Sequence, residues 1–586
     1  MKYAFVCLGV FSATALSGCG GGGGSISSTP APPPSPPPAA SNTTITNLVA
    51  SQNFTNDDAR TSVAFDLTTK TTITGTATST PLTVSYDASS GSYTLSGSDA
   101  TEVFSKSDVT SSASGEVKYQ KTNTTGRDYL TLVTTPYSGT TSNKYVGLGY
   151  WQRNTTAGTR QDTLFDVFTY GLATAAGATP RTGSGNFAID VFGLAAIPGV
   201  EPRVFQGKGS FNVDWAAGVF ATNTYLTETG LLSGSAISGG GIQLQGAGSL
   251  TSGTSSFKGN VVYGGQGGTI GGQLSGSFYG PAADELGASF AGGNSDGATV
   301  TGGFTGQRDT TLPAANLTLL NMPSAQLFYT QEALLDYTSF DAGSGGTPYA
   351  RTSTLVSQLN QQNSDTLSYS PGRSDLAGGT FTATSLVPSA DPNFKTYKKT
   401  FNGQDVTLEL YRPGAVNTEL ALTYASFGRW TGSVKSGVAT TASSDYFVYG
   451  LETPTGLLSG KTGTAHYSGI AYGAAANETT GARQDVRGTS IFDVNFTTQS
   501  YSGSFALHGT SQAVDFGSFT FANKLSATTA ASQASLMQNG LDVGALTSRF
   551  YGPNGEEIGG PFTVNIPDPA GTGRTAIAGI VLAKGQ

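Results

Sequence analysis

Apolar and polar residues alternate one by one along several stretches of the chain. The clearest runs lie at 165–170 (FDVFTY), 211–215 (FNVDW) and 490–496 (SIFDVNF). Successive side chains of a strand point to opposite faces of its sheet, so this pattern predicts strands with one buried face. Glycine clusters at 238–241 (SGGG) and 263–268 (YGGQGG) punctuate these runs at hairpin spacing. The chain is therefore predicted to be all-β.

The second half of the chain repeats the first. The pattern Y-x-x-x-G-x-W at 145–151 recurs at 424–430, and the tripeptide YGL at 170–172 recurs at 449–451, each 279 residues later. An offset that holds along the sequence indicates duplication rather than chance. The duplication predicts two tandem lobes.

Each lobe divides into two parts. Many short antiparallel strands hide their edges best by closing into a barrel. We expect barrels at 141–308 and 419–586, each preceded by a more open β-domain at 43–140 and 324–418. A linker at 309–323 would join the lobes, and cleavage there is expected to release two stable fragments.

The first residues read as a targeting segment. One positive charge at Lys2 precedes a short apolar run, and LSGC at 16–19 follows. The run is too short to span a bilayer and is typical of a secretory signal. The LSGC sequence resembles the lipobox of bacterial lipoproteins, which implies a signal peptide at 1–18 and an acylated, palmitate-bearing Cys19. An ordinary signal peptide with an incidental cysteine is the alternative. A Gly- and Pro-rich tether at 19–42 leads to the folded part.

Composition narrows the function classes. Glycine accounts for 81 residues, charged residues make up only 12% of the chain, and the formal net charge is −8. This balance argues against coiled coils and against a nucleic-acid partner. Both cysteines, Cys7 and Cys19, lie in the first 20 residues, so no disulfide is expected in the folded part.

No enzyme signature stands out, and neither a metal nor another cofactor is expected. Residues 293–297 (GNSDG) match G-x-S-x-G, yet no apolar strand and helix flank them, so we interpret them as a hairpin turn. A hydrolase using Ser295 remains an alternative. The two histidines, His466 and His508, lie in separate strand-like stretches and are more simply unrelated strand residues than a paired site, which is the alternative. The matched Trp151 and Trp430 are expected in the core, and a role as interface anchors is the alternative.

One motif closes both lobes. FYGP-x3-E-x-G occurs at 278–287 and again at 550–559. Its glycine permits a sharp turn, its proline fixes φ, and its aromatic residues supply buried area. The glutamate is either a solvated turn residue or an acceptor for backbone N–H groups. We assign the motif a structural role, through Phe278, Tyr279, Gly280, Pro281, Glu285, Phe550, Tyr551, Gly552, Pro553 and Glu557.

The repeated motif, lipobox, tether and duplication together resemble the transferrin-binding protein B family of bacterial surface lipoproteins. The resemblance implies two lobes, each with a handle domain followed by a barrel of about eight strands. It also implies capture of an iron or haem carrier, transfer of the cargo to a TonB-dependent outer-membrane receptor, and export by the surface lipoprotein assembly modulator. The expected location is the outer membrane, lipid-anchored and exposed at the cell surface.

The resemblance carries no ligand-binding residue onto this chain, because the binding loops do not align by motif. A structural or adhesive surface lipoprotein, or a binder of another solute with no iron role, remains the alternative.

Overall fold

Alternating strands build the first β-domain, as the sequence pattern predicts. The computed structural model describes residues 41–586 except 114, 123–125, 140, 238, 267, 527–530 and 570. Eleven strands form a sheet in the order β1-β4-β5-β6 and a second sheet in the order β3-β2-β11-β10-β9-β8-β7. The strands are β1 Gln52–Asn53, β2 Asp58–Asp66, β3 Thr71–Thr78, β4 Thr83–Asp87, β5 Ser92–Ser96, β6 Thr101–Phe104, β7 Val109–Ala113, β8 Glu116–Thr122, β9 Gly126–Val133, β10 Val146–Ala157 and β11 Arg160–Gly171.

The first barrel follows in the same chain direction. Eight strands run in the order β13-β12-β20-β19-β18-β17-β16-β14, and pairing of β13 with β14 closes the ring, with β15 added on β14. The strands are β12 Ser184–Ala196, β13 Arg203–Asp214, β14 Val219–Gly230, β15 Ala236–Ile237, β16 Gln243–Leu250, β17 Ser256–Gly265, β18 Gly268–Tyr279, β19 Glu285–Gly293 and β20 Thr299–Arg308.

The second lobe opens with a nine-stranded sheet in the order β24-β23-β22-β21-β29-β28-β27-β26-β25. Its strands are β21 Gln326–Phe340, β22 Tyr349–Asn363, β23 Thr366–Ser370, β24 Gly379–Phe381, β25 Leu386–Val387, β26 Phe394–Phe401, β27 Gln404–Tyr411, β28 Ala425–Ser436 and β29 Ala439–Gly450. A single short helix, α1 Thr455–Ser459, follows β29. Among the described residues no helix is long and apolar enough to cross a bilayer.

The second barrel is closed by eight strands, β30 to β37 in sequence order, with β30 paired to β37. They are β30 Thr464–Asn477, β31 Arg483–Asn495, β32 Ser500–Gly509, β33 Asp515–Lys524, β34 Ala531–Gln538, β35 Leu541–Tyr551, β36 Glu557–Pro567 and β37 Arg574–Gly585. The predicted fold class is confirmed: the protein is all-β, with a β-domain and an eight-stranded barrel in each lobe. We call the two β-domains the first and second handle.

The predicted boundaries between handle and barrel, at 140/141 and 418/419, are wrong. The pair β10–β11 belongs to the first handle sheet and β28–β29 to the second, so the barrels begin only at β12 and β30. Both pairs are long alternating strands, and alternation reports a buried face without saying which sheet buries it. Trp151 and Trp430, on β10 and β28, are fully buried in the handle cores. Their predicted core position is confirmed.

The two lobes meet along a seam. Leu457 of α1 packs against Ala247 and Val262 on the outside of the first barrel. Its neighbour Leu458 faces the opposite way, into the core of the second barrel. A hydrogen bond of 3.0 Å from Asn260 Nδ2 to Asn554 Oδ1 adds a polar contact between the lobes. Helix α1 thus latches the second lobe onto the first.

Replacing Leu457 with aspartate should open this seam, because a carboxylate cannot be buried against Ala247 and Val262 without a partner. We expect limited proteolysis within 309–323 to become faster by about tenfold or more. A loss of about one or two kcal/mol from the free energy that holds the lobes together corresponds to such a factor. Leu458→Ala is the matched control. It should lower the unfolding midpoint of the second barrel through a core cavity while leaving the rate of linker cleavage unchanged. Equal cleavage in both variants would refute the latch.

Candidate functional site

A buried glutamate ties the barrel to the handle in each lobe. In the first lobe Glu285, the first residue of β19, accepts hydrogen bonds from the backbone N–H groups of Lys144, Tyr145 and Val146 at 2.7, 2.8 and 3.1 Å. These donors lead into handle strand β10. Of the two alternatives for this residue, the structure shows the backbone acceptor and not the solvated turn residue.

The second lobe repeats the arrangement. Glu557, at the start of β36, accepts from the N–H groups of Thr423, Tyr424 and Ala425 at 2.6, 3.0 and 2.8 Å. The donors lead into handle strand β28. The two glutamates therefore occupy the same place in both copies, and we call each arrangement a glutamate clamp.

The turn before each glutamate holds the strand that leaves the handle. Gly280 and Gly552 have φ of +85° and +86°, and a Cβ on either would come within 2.6 Å of the ring of Tyr145 or Tyr424. Their N–H groups donate to Leu172 O and Leu451 O at 3.0 and 2.8 Å. Only glycine meets both conditions, the left-handed backbone and the close ring.

The aromatic pair of the motif fills the space on both sides of the turn. Phe278 and Phe550 lie in the barrel cores, whereas Tyr551 packs with the cluster between the second handle and its barrel. Tyr279 is fully buried, and its hydroxyl lies 3.2 Å from Thr169 Oγ1 of handle strand β11. Pro281 is exposed and Pro553 half-buried. The motif thus joins the two domains of a lobe.

Burial also changes the acidity of the clamps. Desolvation raises the pKa of Glu557 to about 7, against the three backbone N–H groups, which lower it. Desolvation raises the pKa of Glu285 as well, with the same opposing backbone groups. Both clamps are structural in their contacts, so the surface that could bind a partner lies elsewhere.

A groove of about 720 Å³ lies on the second barrel. It runs across one end of four successive strands, β30 to β33. We call it the β30–β33 groove, lined by Thr464, Ala465, His466, Asp493, Val494, Asn495, Ser500, Tyr501, Ser502, Ala522, Asn523 and Lys524.

The first barrel has an equivalent face, which is covered, and strand pairing shows which residues correspond. Cross-strand neighbours run His466–Asp493–Ser502–Ala522 across the second barrel, and Asn186–Asn212–Ala221–Ala247 across the first. The two rows are therefore equivalent.

The interlobe segment and α1 lie over the first row. Asn186 Nδ2 donates to Leu312 O at 3.2 Å, Asp309 N donates to Asn186 O at 2.9 Å, and Thr318 Oγ1 bonds Asp214 Oδ2 at 3.1 Å. Leu457 covers Ala247. A face that binds polypeptide in the first copy is thus open in the second.

The open face is more polar than its covered counterpart. Val219 and Ala221 of the first barrel correspond to Ser500 and Ser502 of the second. His466 Nδ1 lies 2.7 Å from Asp493 Oδ1 at the edge of the groove. The side chains suit hydrogen bonding to a protein partner through a wet, reversible interface.

Sequence reasoning did not find this groove. The alignment of the two halves contains the exchange of Val219 and Ala221 for serines, but no sequence pattern shows that the linker covers one copy and leaves the other open. The described side chains of Lys524 and Asp493 add one charge of each sign to the groove, and Lys524 has no carboxylate within 4 Å among the described residues.

The other candidates stay apart. Ser295 is exposed in the turn between β19 and β20, beside Asp296, as the hairpin interpretation expects. His508 lies on β32, 3.3 Å from Asp515, whereas His466 lies on β30. Within the described part of the chain, no three His, Cys, Asp or Glu side chains gather as metal ligands would. Cys19 and the predicted signal peptide lie outside the described residues.

Glu557→Gln should flatten the pH dependence of stability. The pKa of Glu557 is raised to about 7 from its usual value of 4.5, so the folded state binds this proton more tightly than the unfolded state. Its stabilising contribution is complete below pH 4.5 and is lost as the pH rises through about 7. Urea unfolding at several pH values between these limits measures the slope. Asp296→Asn, an exposed acid, is the control; the same slope in wild type and Glu557→Gln would contradict the assignment.

Comparison with known proteins bears on the same barrel. Residues 460–581 match the family model described as C-lobe and N-lobe beta barrels of Tf-binding protein B. A search of curated proteins found no match.

Solved structures of transferrin-binding protein B are similar at low identity. A double mutant from Haemophilus parasuis aligns at 18% identity over 78% of this chain and 85% of that one, with a TM-score of 0.27. Intact Ap-TbpB, with N and C lobes, aligns at 13% identity over 90% and 95%, with a TM-score of 0.26. The isotype 1 protein of serogroup B Neisseria meningitidis aligns at 17% identity over 78% and 89%, with a TM-score of 0.24.

The family match begins just after α1 and spans most of the second barrel, including all four strands of the β30–β33 groove and Glu557. The resemblance drawn from the sequence is confirmed: the second barrel matches the family model for the beta barrels of transferrin-binding protein B.

Proposed function

We propose that this chain is an outer-membrane surface lipoprotein that binds an iron or haem carrier protein and assists its uptake through a TonB-dependent receptor. The observation that carries the proposal is the family match of the second barrel at 460–581. The lipobox at Cys19, the tether at 19–42 and the duplicated lobes are consistent with it. The chain acts by binding and carries out no catalysis.

The β30–β33 groove is our candidate for a contact surface of this function. Its equivalent on the first barrel already binds polypeptide, through Leu312, Thr318 and Leu457. Its serines, amides and single lysine favour a partner with polar side chains and at least one carboxylate for Lys524. A carrier protein, or the receptor that takes its cargo, would meet this requirement.

A second candidate function keeps the same scaffold without iron. Only 12% of the residues are charged. This low share of charged residues and the polar groove also suit a structural or adhesive surface lipoprotein. The two functions differ in whether one soluble carrier binds specifically and saturably.

Biolayer interferometry separates these functions. The chain from Thr43 to Gln586, which contains almost all of the compact unit at 42–586, would be tested against iron-loaded transferrin, iron-free transferrin, haemoglobin and haem. We expect saturable binding to one of these probes. Binding to none of them would overturn the iron-carrier proposal and favour the structural role.

Groove variants test the contact surface separately. Ser502→Trp fills the groove and Lys524→Glu reverses the charge of its lysine, so each should weaken carrier binding by about tenfold or more, as loss of a well-placed interface contact does. Lys208→Glu, an exposed lysine on the first barrel, is the charge-matched control and should bind as wild type. Unchanged affinity in both groove variants would leave the carrier function intact and place its surface elsewhere.

The anchor is testable in cells. Cys19→Ser should abolish incorporation of labelled palmitate, because the thiol carries the diacylglyceryl group in the lipoprotein interpretation. Added protease should degrade the wild-type chain on intact cells if it faces outward. Label retained by Cys19→Ser would refute lipidation at this residue, and protection from protease would place the chain on the periplasmic side.

A further inference from the structure

Two carboxyl groups are buried side by side in the second handle. Glu332 of β21 and Asp445 of β29 are both fully inaccessible to solvent. The hydroxyl of Tyr369, on β23, lies 2.6 Å from Asp445 Oδ2 and 3.1 Å from Glu332 Oε2. The two carboxyl groups also come within hydrogen-bonding range of each other.

The pair is short of donors. Asp445 Oδ1 has no hydrogen-bond donor among the described residues. The Asp445 carboxyl also interacts with the Glu332 carboxyl, which is itself an acceptor when ionised. A single proton between them satisfies both groups, because one carboxyl then donates to the other. If both carboxyl groups were ionised, the two neighbouring charges would repel strongly, because both groups are buried away from water.

The first handle solves the same problem differently. Asp166 corresponds to Asp445, because the two residues hold the same register position in their sheets. Asp166 lies opposite Arg60 of β2, and Asp445 lies opposite Leu334 of β21. Arg60 and Arg153 both pair with Asp166, at 2.5 and 2.9 Å.

The second handle has lost both cations. Leu334 replaces Arg60, and Gly432 replaces Arg153 at the equivalent register position. The counterpart of Glu332 in the first handle is Asp58, which faces Phe168 as Glu332 faces Phe447. Burial followed by the charge of Asp166 raises the pKa of Asp58 to about 8. A buried acid therefore lies at this position in both handles, as Asp58 and as Glu332. Its partner acid is bonded by two arginines in the first handle, and the second handle lacks those arginines.

One cation, Arg373, acts on the pair through its charge and works to lower the pKa of Asp445, but it forms its ion pairs with other acids. Arg373, in the segment after β23, bonds Asp336 and Asp375. Asp336 on β21 is further bonded by Arg351 of β22 and Ser443 of β29. The hydroxyls of Thr330 and Ser357 bond each other on the same face, and Ser357 also bonds Tyr369. Trp430 of β28 donates to Ala377 O.

The pair holds down one particular segment. Glu332 Oε1 accepts from the N–H of Gly372 at 3.1 Å, and Tyr369 bonds both acids. Residues 366–381, which include β23 and β24, lie at the far end of the handle sheet, where β23 pairs with β22. Gln404 and Trp430 also bond Ala377, so the two carboxyl groups contribute one part of the attachment of this segment.

We propose that Glu332 and Asp445 share one proton and form a pH-sensitive clamp that holds residues 366–381 on the sheet of the second handle. Burial, and after it the charge of Glu332, raises the pKa of Asp445 well above its ordinary value. The pair therefore keeps its shared proton at pH values where an ordinary aspartate is ionised. Loss of the proton as the pH rises leaves two buried charges, which favours opening of the segment.

Hydrogen exchange with mass spectrometry tests the clamp in the full chain. After correction for intrinsic exchange, the opening constant of peptides within 366–381 should rise with pH, approaching tenfold per pH unit where the shared proton is lost. Peptides of the first handle sheet, such as β9, serve as the internal reference. A constant opening free energy for 366–381 from mildly acidic to alkaline pH would overturn the proposal.

Two variants assign the effect to the pair. Asp445→Asn keeps the shape, donates to Glu332 and removes the need for a proton, so its opening should lose the pH dependence. Asp375→Asn, at an acid whose side chain is exposed, should keep the wild-type dependence. If Asp445→Asn does not fold, Leu334→Arg replaces the proton with the cation of the first handle and should flatten the profile in the same way. A wild-type profile in the folded variant would refute the shared proton.

Discussion

The arrangement of each lobe depends on one interaction, a buried glutamate that accepts three backbone N–H groups from the neighbouring domain. Glu285 and Glu557 lie at the start of a barrel strand, and their donors lead into a handle strand. N–H groups at the start of a strand that lack a ladder partner are costly to bury. The carboxyl group satisfies three of them at once, and this fixes where the handle sheet ends and where the barrel closes.

The duplication explains the symmetry of the lobes, and small local changes explain how their uses differ. In the first barrel the outer face of β12 to β16 is covered by the interlobe segment and by Leu457. In the second barrel the same face carries Ser500 and Ser502 and remains open as the β30–β33 groove. Equivalent surfaces can thus serve as an internal interface in one copy and as a candidate external one in the other.

The handles diverged in the same manner, but inside their cores. Arg60 and Arg153 neutralise Asp166 in the first, whereas in the second Leu334 and Gly432 stand in their places and Asp445 contacts Glu332 and Tyr369. Removing a cation from a buried acid changes its preferred protonation state, because an unpaired charge is expensive at low dielectric. One lobe therefore keeps a salt-bridged core and the other a core that holds a proton.

Much of the fold was predictable from the sequence, because alternation reports strand faces directly and the repeat offset reports two lobes. The closing motif at Gly280 and Gly552 was equally legible, since few residues tolerate a left-handed turn against an aromatic ring. The domain boundaries were not. Strands β10, β11, β28 and β29 alternate like barrel strands, and the choice of sheet depends on non-local pairing with β2, β9, β21 and β27.

The sequence by itself determined the fold class, the duplication and the position of the closing turns, because each leaves a local or periodic trace along the chain. Only the tertiary structure decided what Glu285 and Glu557 bind, which face of which barrel stays open, and that Glu332 meets Asp445. Those contacts join residues about 110 to 140 positions apart. Their partners are chosen by sheet register, which no local pattern records.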